Sequence, residues 1–312
     1  MKRLFSILAA ASAAMVLNAA SPTADTSAPL PICGSAMQIS QPDNNVYSRG
    51  GIIRTNPEKP RISLVFTSHD RNDGEESILA LLDRHGIKGA FFFTGAFYEL
   101  FPETIARLRQ AGHYVGSHSY GHLLYMPWEN PDSMLVSQQE FVDDMQHSYR
   151  LMREAGIEPG EAPVYIPPYE YYNEQISDWS RQLGLQVVNY TPGSWTNADY
   201  TIPSMGGKYR SSEFILNQVL GYEQEQGMNG QILLIHFGTH PERTDKFYDN
   251  GLEPMILELK ARGYEFVPLI QALGLEYVKS ESHSLSQKSR VKSQESKVKG
   301  TGWGGLNKRS EI

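Results

Sequence analysis

The stretch ISLVFTSHDRNDGEESILALLDRHG, residues 62–86, contains one complete unit of the fold. Its opening run, ISLVF, is short and largely apolar, which suits a buried strand. From Glu75 the pattern changes to helical spacing, with Ile78, Leu79, Leu81 and Leu82 on one side and Gly86 as a stop. The same alternation then repeats down the chain. GAFFF precedes PETIARLRQAG, HYVGS precedes a helical stretch expected over 132–155, and VYI precedes NEQISDWSRQLG. LQVVN precedes SEFILNQVLGYEQEQG, QILLIHF precedes LEPMILELKARG, and YEFVPL closes the series with IQALG behind it. Seven apolar runs alternating with helices predict an α/β fold of parallel strands with helical crossovers. Periodicity alone leaves an open doubly wound sheet and an incomplete barrel equally allowed.

The rest of the 312-residue chain divides around this unit. MKRLFSILAAASAAMVLNAAS has a basic start, an apolar run and small residues near Ala19 and Ala20, the layout of a signal peptide over 1–20. It predicts export to the periplasm or the exterior, and no further stretch is apolar and long enough for stable membrane insertion. Residues 21–60 read as an irregular leader, 61–275 as a single domain and 276–312 as a disordered polar tail. Cys33 is the sole cysteine, so no intrachain disulfide is available and the core must hold the fold. Cys33 follows PLPI, which is not a lipoprotein cleavage box. Net charge is −7, yet the tail and the first residues are basic, which leaves 21–278 near −14. An acidic body of this kind argues against nucleic acid as a partner.

The polar residues that carry chemistry fall just after the apolar runs. His69, Asp70 and Asp73 follow ISLVF, His118 and His122 follow HYVGS, Tyr169 and Glu170 follow VYIPP, and His236 ends QILLI with His240 four residues on. In parallel α/β folds the loops at the strand C-termini converge on the active site. His118 and His122, four apart, suit one divalent metal ion if the loop turns both rings inward, a turn that Gly121 is expected to permit. A carboxylate is the usual third ligand, and Asp73, before Gly74, is the expected one.

In their order along one alternating chain, DG, HSYGH, PPY and LLIH resemble the polysaccharide deacetylase (NodB-homology) carbohydrate esterases over about 61–275. The resemblance implies a distorted (β/α)7 barrel and a divalent metal, usually zinc, held by Asp73, His118 and His122. It implies hydrolysis of N-acetyl, sometimes O-acetyl, groups from an acetylated polysaccharide or oligosaccharide by metal-activated water. Amide cleavage needs a general acid at the leaving nitrogen, and His236, with a pKa near neutrality, suits that role. Asp199 is expected to orient His236 through its second nitrogen, as the family's fourth motif does. Trp195 and Tyr169 are expected to line the sugar site, with His240 and Arg243 as further substrate contacts.

The chain departs from the family at two linked points. The family's first motif carries two adjacent aspartates, one base and one ligand, but Asn72 precedes Asp73. Its third motif offers an arginine that orients the base, where this chain has Tyr165 or Ile166. Asp70, or else Glu170, is expected to serve as base, with Arg243 replacing the lost arginine beside one of them. The alternatives are a catalytically inactive glycan-binding domain on the same scaffold and an amidase acting on a non-sugar amide or imide.

Overall fold

In the computed structural model, residues 31–33 and 44–275 are described; the signal peptide expected at 1–20 and the tail expected at 276–312 lie outside them. The segment expected as an irregular leader ends in a two-stranded antiparallel hairpin, β1 (Val46–Ser48) and β2 (Gly51–Arg54). The main sheet begins with β3 (Arg61–Ser68), followed by α1 (Glu75–His85), β4 (Ala90–Phe93), α2 (Gly95–Leu100) and α3 (Pro102–Gln110). Next come β5 (Tyr114–Ser117), α4 (Gln138–Glu154), β6 (Val164–Tyr165), α5 (Glu174–Gln182) and β7 (Gln186–Val187). The chain continues through α6 (Ser212–Gln226), β8 (Gln231–His236), α7 (Phe247–Asn250), α8 (Leu252–Ala261), β9 (Glu265–Phe266) and α9 (Leu269–Ala272).

Seven strands form one parallel sheet in the order β7-β6-β5-β4-β3-β8, with β9 pairing β3. The hairpin strand β2 spans the gap between the outer strands. Ile52 bridges Val188 in parallel, and the Thr55 N–H donates to the Gly230 carbonyl at 2.8 Å. Beyond β7, the Thr191 N–H donates to Ile232 at 2.9 Å. The result is a half-barrel whose seam is filled by the leader's last strand, and it matches the barrel-like α/β architecture implied by the resemblance.

Alternation along the strands explains why they lie buried on both faces. Leu64, Phe66, Phe91, Phe93, Leu233 and Ile235 pack toward the helices. Val65, Ala90, Phe92, Ile232 and Leu234 form a second apolar cluster with Ile52 and Val188. Phe93 stacks on Phe97 with ring centroids 3.8 Å apart, and Phe91 meets Phe237 edge-on at 5.5 Å.

The helix expected over 132–155 begins later, at Gln138. Ser137 stops it from starting sooner. Its hydroxyl accepts from the Glu140 N–H while the Glu140 carboxylate accepts from the Ser137 N–H at 2.7 Å, a reciprocal cap.

Strand register sets the site. Thr67 lies opposite His236, Phe93 opposite Ser68 and Ser117, and Ser117 opposite Tyr165. The C-terminal ends of β3, β4, β5, β6 and β8 are therefore level, and the residues that follow them face one mouth.

Candidate active site

The HSYGH loop leaves β5 at this level. Its turns fall on Ser119 (φ 68°) and His122 (φ 50°), left-handed positions that side chains resist, and not on Gly121. Asp144, buried on α4, compensates by accepting from the Tyr120 N–H at 3.0 Å and the Gly121 N–H at 2.7 Å. The Ser119 hydroxyl accepts from the His122 N–H at 3.0 Å. Gly95 receives the loop from the other side: a Cβ there would stand 2.0 Å from the Tyr120 ring.

His118 is 3% exposed, and its Nδ1 lies 2.8 Å from the Ile166 carbonyl, which can only accept. Nδ1 therefore carries the proton, and Nε2 is left as a lone pair 3.8 Å from Glu170 Oε1. The His122 ring lies 5.0 Å from that of His118, 5.1 Å from that of His69 and 4.3 Å from that of Tyr169. Tyr169 and Glu170 both have positive φ, 58° and 53°. This strain, on the order of 1 kcal/mol or more for each, is held by the Asn189 side chain donating to the Glu170 carbonyl at 2.7 Å.

Across the mouth, His236 is fixed by Asp199, which sits on the 3-10 turn Thr196–Tyr200. One Asp199 oxygen lies 2.6 Å from His236 Nδ1, and the other accepts from the His236 N–H at 2.8 Å. Nε2 of His236 is thereby the free ring nitrogen. The Asp199–His236 contact expected from the sequence is present.

The electrostatics separate the histidines. Burial pushes His118 well below the ordinary histidine value, and His122 reinforces this. Burial, with His69 and His236 adding repulsion, pushes His122 down to about 4. Both rings are then neutral at neutral pH, the form that donates a lone pair. Burial also depresses His236, but the charge and hydrogen bond of Asp199, with Glu170 beyond, outweigh it and hold His236 above the ordinary value. Burial pushes the Glu170 carboxyl up to about 7.

These groups share a cavity of about 570 Å³ lined by His69, Asp70, His118, His122, Glu170 and His236, among others. Its rim is aromatic: Trp128 is 56% exposed, Tyr200 51% and Tyr169 44%. His240 reaches the same cavity. Three expected residues stand elsewhere. Asp73 does not line the cavity; its carboxylate accepts from Lys246 Nζ at 2.8 Å, the Tyr248 hydroxyl at 2.6 Å and the Thr239 N–H at 3.0 Å. Arg243 does not meet Asp70 or Glu170. It is fully buried, and its guanidinium donates to the carbonyls of Thr201 at 2.7 Å and Arg210 at 2.9 Å. Trp195 lines a neighbouring cavity. Asn72, which precedes Asp73, donates to Glu75 at 3.2 Å.

Asp73 is displaced because β3 stays paired as far as Ser68. The first residues beyond the sheet are therefore His69 and Asp70, and RND turns away to start α1. Asp70, His118 and His122 form a nitrogen and oxygen donor set suited to a divalent cation. Among the described residues no three His, Cys, Asp or Glu side chains already stand in coordinating positions. The Asp70 carboxylate turns instead toward Arg71, with Oδ1 3.8 Å from Nε. Trp128, Tyr190, Asn197 and Tyr200 line the cavity and went unread, because they lie in loops without periodicity; exposed aromatics near PPY were the available signal.

Residues 54–188 match the polysaccharide deacetylase family model. A peptidoglycan-N-acetylglucosamine deacetylase of Bacillus cereus is 25% identical over 214 residues, covering 68% of this chain and 67% of that protein. The chain spans only 39% of the length of the Listeria monocytogenes peptidoglycan-N-acetylglucosamine deacetylase, also 25% identical. Among solved structures, a peptidoglycan N-acetylglucosamine deacetylase superposes with a TM-score of 0.59 at 23% identity, covering 72% of this chain and 93% of that one. A Bacillus anthracis pseudoenzyme of carbohydrate esterase family 4 superposes with a TM-score of 0.57 at 21% identity, covering 73% and 70%. By family match over residues 54–188, and by fold, this chain is similar to the NodB-homology polysaccharide deacetylases, a family of hydrolases of carbon–nitrogen bonds other than peptide bonds.

Proposed function

We propose that the protein is an exported, metal-dependent deacetylase that removes N-acetyl groups from an amino-sugar polymer of the peptidoglycan class. One observation carries this reading: His236, held by buried Asp199, lines the same cavity as His118, His122 and Asp70. The substrate class follows from relatives that act on peptidoglycan N-acetylglucosamine.

Asp70, His118 and His122 would hold a divalent cation, with zinc the expectation from two imidazoles and a carboxylate. Such a cation, when bound, lowers the pKa of water and polarises the acetyl carbonyl. His118 is kept in the ligating tautomer by Ile166. Glu170 takes the proton of the attacking water, because its carboxylate is the buried one beside His118. His236, whose pKa Asp199 raises, gives its Nε2 proton to the departing nitrogen. Trp128, Tyr169 and Tyr200 offer apolar faces to sugar rings.

A second reading, glycan binding without turnover, is favoured by His69, which precedes Asp70 where the family motif has a carboxylate base. Metal-loaded protein is to be offered N-acetylglucosamine oligomers, peptidoglycan fragments and acetylated xylan, and released acetate measured against H236A. Acetate from the amino-sugar substrates alone is expected. Oligomer binding without acetate selects the second reading. E170Q is expected to slow turnover at least tenfold, about 1.4 kcal/mol of barrier, at equal metal content. If H69Q does so and E170Q does not, the base is His69.

A further inference from the structure

A second cavity, of about 480 Å³, adjoins the first and shares Tyr190, Asn197 and Tyr200 with it. Its chemistry is different. The lining holds Lys208 and Arg210 and no acidic residue, although the body of the chain is strongly acidic. Arg210 is set in place from several sides. Its backbone N–H donates to the Thr201 hydroxyl at 2.9 Å. Its Nη1 donates to the carbonyls of Gly207 at 2.7 Å and Tyr209 at 2.8 Å. Its guanidinium carbon lies 5.4 Å from the Trp195 ring centre and 5.0 Å from that of Phe214. Arg210 Nε is buried and has no hydrogen-bond partner among the described residues. A planar guanidinium anchored through Nη1 and set in the lining of the cavity is held in place to meet an anion that enters there.

We propose that this cavity is an anionic subsite, in which Arg210, with Lys208 at its rim, binds a carboxylate on the sugar next to the one whose acetyl group is removed. The proposal rests on the deacetylase reading for the words "acetyl group" alone. The shared wall of Tyr190, Asn197 and Tyr200 makes one groove of the two cavities, so a polymer seated with one unit at His236 lays its neighbour against Arg210. Trp195, 41% exposed, offers that neighbour an apolar face. The carboxylate has two sources of the same chemistry, an acidic ether substituent on an amino sugar and the C6 acid of a uronic acid. Both present the same carboxylate to the Arg210 guanidinium.

Calorimetric titration of the full protein tests this. The probes are a disaccharide of N-acetylglucosamine and N-acetylmuramic acid, a disaccharide of N-acetylglucosamine and glucuronic acid, and the carboxamide of each. Wild-type protein is expected to bind at least one acid about tenfold more tightly than its carboxamide, and the preferred acid identifies the source. R210Q is expected to bring that ratio to about one while leaving the carboxamide affinities within twofold. K208Q, at an exposed position, is expected to reduce the ratio in part, and remains informative if R210Q does not fold. Equal affinity of acid and carboxamide for both pairs in the wild type overturns the subsite, as does a ratio unchanged in folded R210Q and in K208Q. Acetate release from neutral N-acetylglucosamine oligomers is read separately. Its absence removes the deacetylase reading and leaves the binding ratio standing, whereas its presence with a ratio of one does the reverse.

Discussion

His236 is depressed by its own burial and raised chiefly by Asp199, with Glu170 adding to it. If the protonated imidazole donates to the leaving group, activity is lost as pH rises through the pKa of His236. Asp199 raises that pKa, so D199N should shift the alkaline limb of the kcat/KM profile toward lower pH, besides slowing the reaction at neutrality. An alkaline limb that does not move would separate Asp199 from the acid. Asp73 has the opposite character. Burial raises its pKa, but hydrogen bonds from Lys246 and Tyr248 and the Lys246 charge outweigh this and hold it below the ordinary carboxylate value. A carboxyl depressed in the folded state contributes stability above its unfolded pKa and loses it as pH falls through the folded pKa. The D73N variant should therefore be less stable than wild type by about 1 kcal/mol near neutrality, the size of a half-exposed hydrogen-bonded pair. The gap should close in acid. Urea midpoints at several pH values measure it.

The elements show which parts of the fold can be read in advance. The alternation from 62 onward marked every parallel strand and crossover, because each unit repeats one local pattern. The strands β6 and β7 are two residues long, and only their pairing defines them. The leader's hairpin escaped notice because β1 and β2 bury little by themselves; β2 is held by bonds to Val188, Asn189 and Gly230, partners more than a hundred residues away. The expected start of α4 at 132 overlooked the Ser137–Glu140 cap, which is written in SQQE. S137A should lower unfolding free energy by about 1 kcal/mol, measured in urea at constant slope, without altering acetate release. Gly121 was read as the hinge of the histidine loop, yet Ser119 and His122 carry the left-handed turns. What makes that possible is Asp144 on another element, and no spacing within the loop announces it.

Across the whole molecule, the site depends on level strand ends. His118, His122, His236 and Asp199 were legible because each lies beside its own strand or in a familiar motif. Spacing did not show that Asp70 lines the cavity while Asp73 does not, because the position where β3 leaves the sheet is decided by its neighbours β4 and β8. Pairing that runs to Ser68 leaves Asp70 in the wall of the cavity that His118 and His122 line, and Asp73 against Lys246. The acidic body and the basic neighbouring cavity are likewise a property of folded surfaces and not of any segment. The most direct test of the central claim is the zinc content of purified D70N, D73N and wild-type protein after equilibrium dialysis against buffered zinc. About one zinc per chain is expected in the wild type and in D73N, with D70N binding at least about tenfold more weakly, since a lost direct ligand costs no less than a lost outer-shell partner. Full occupancy in D70N together with loss in D73N would contradict the account.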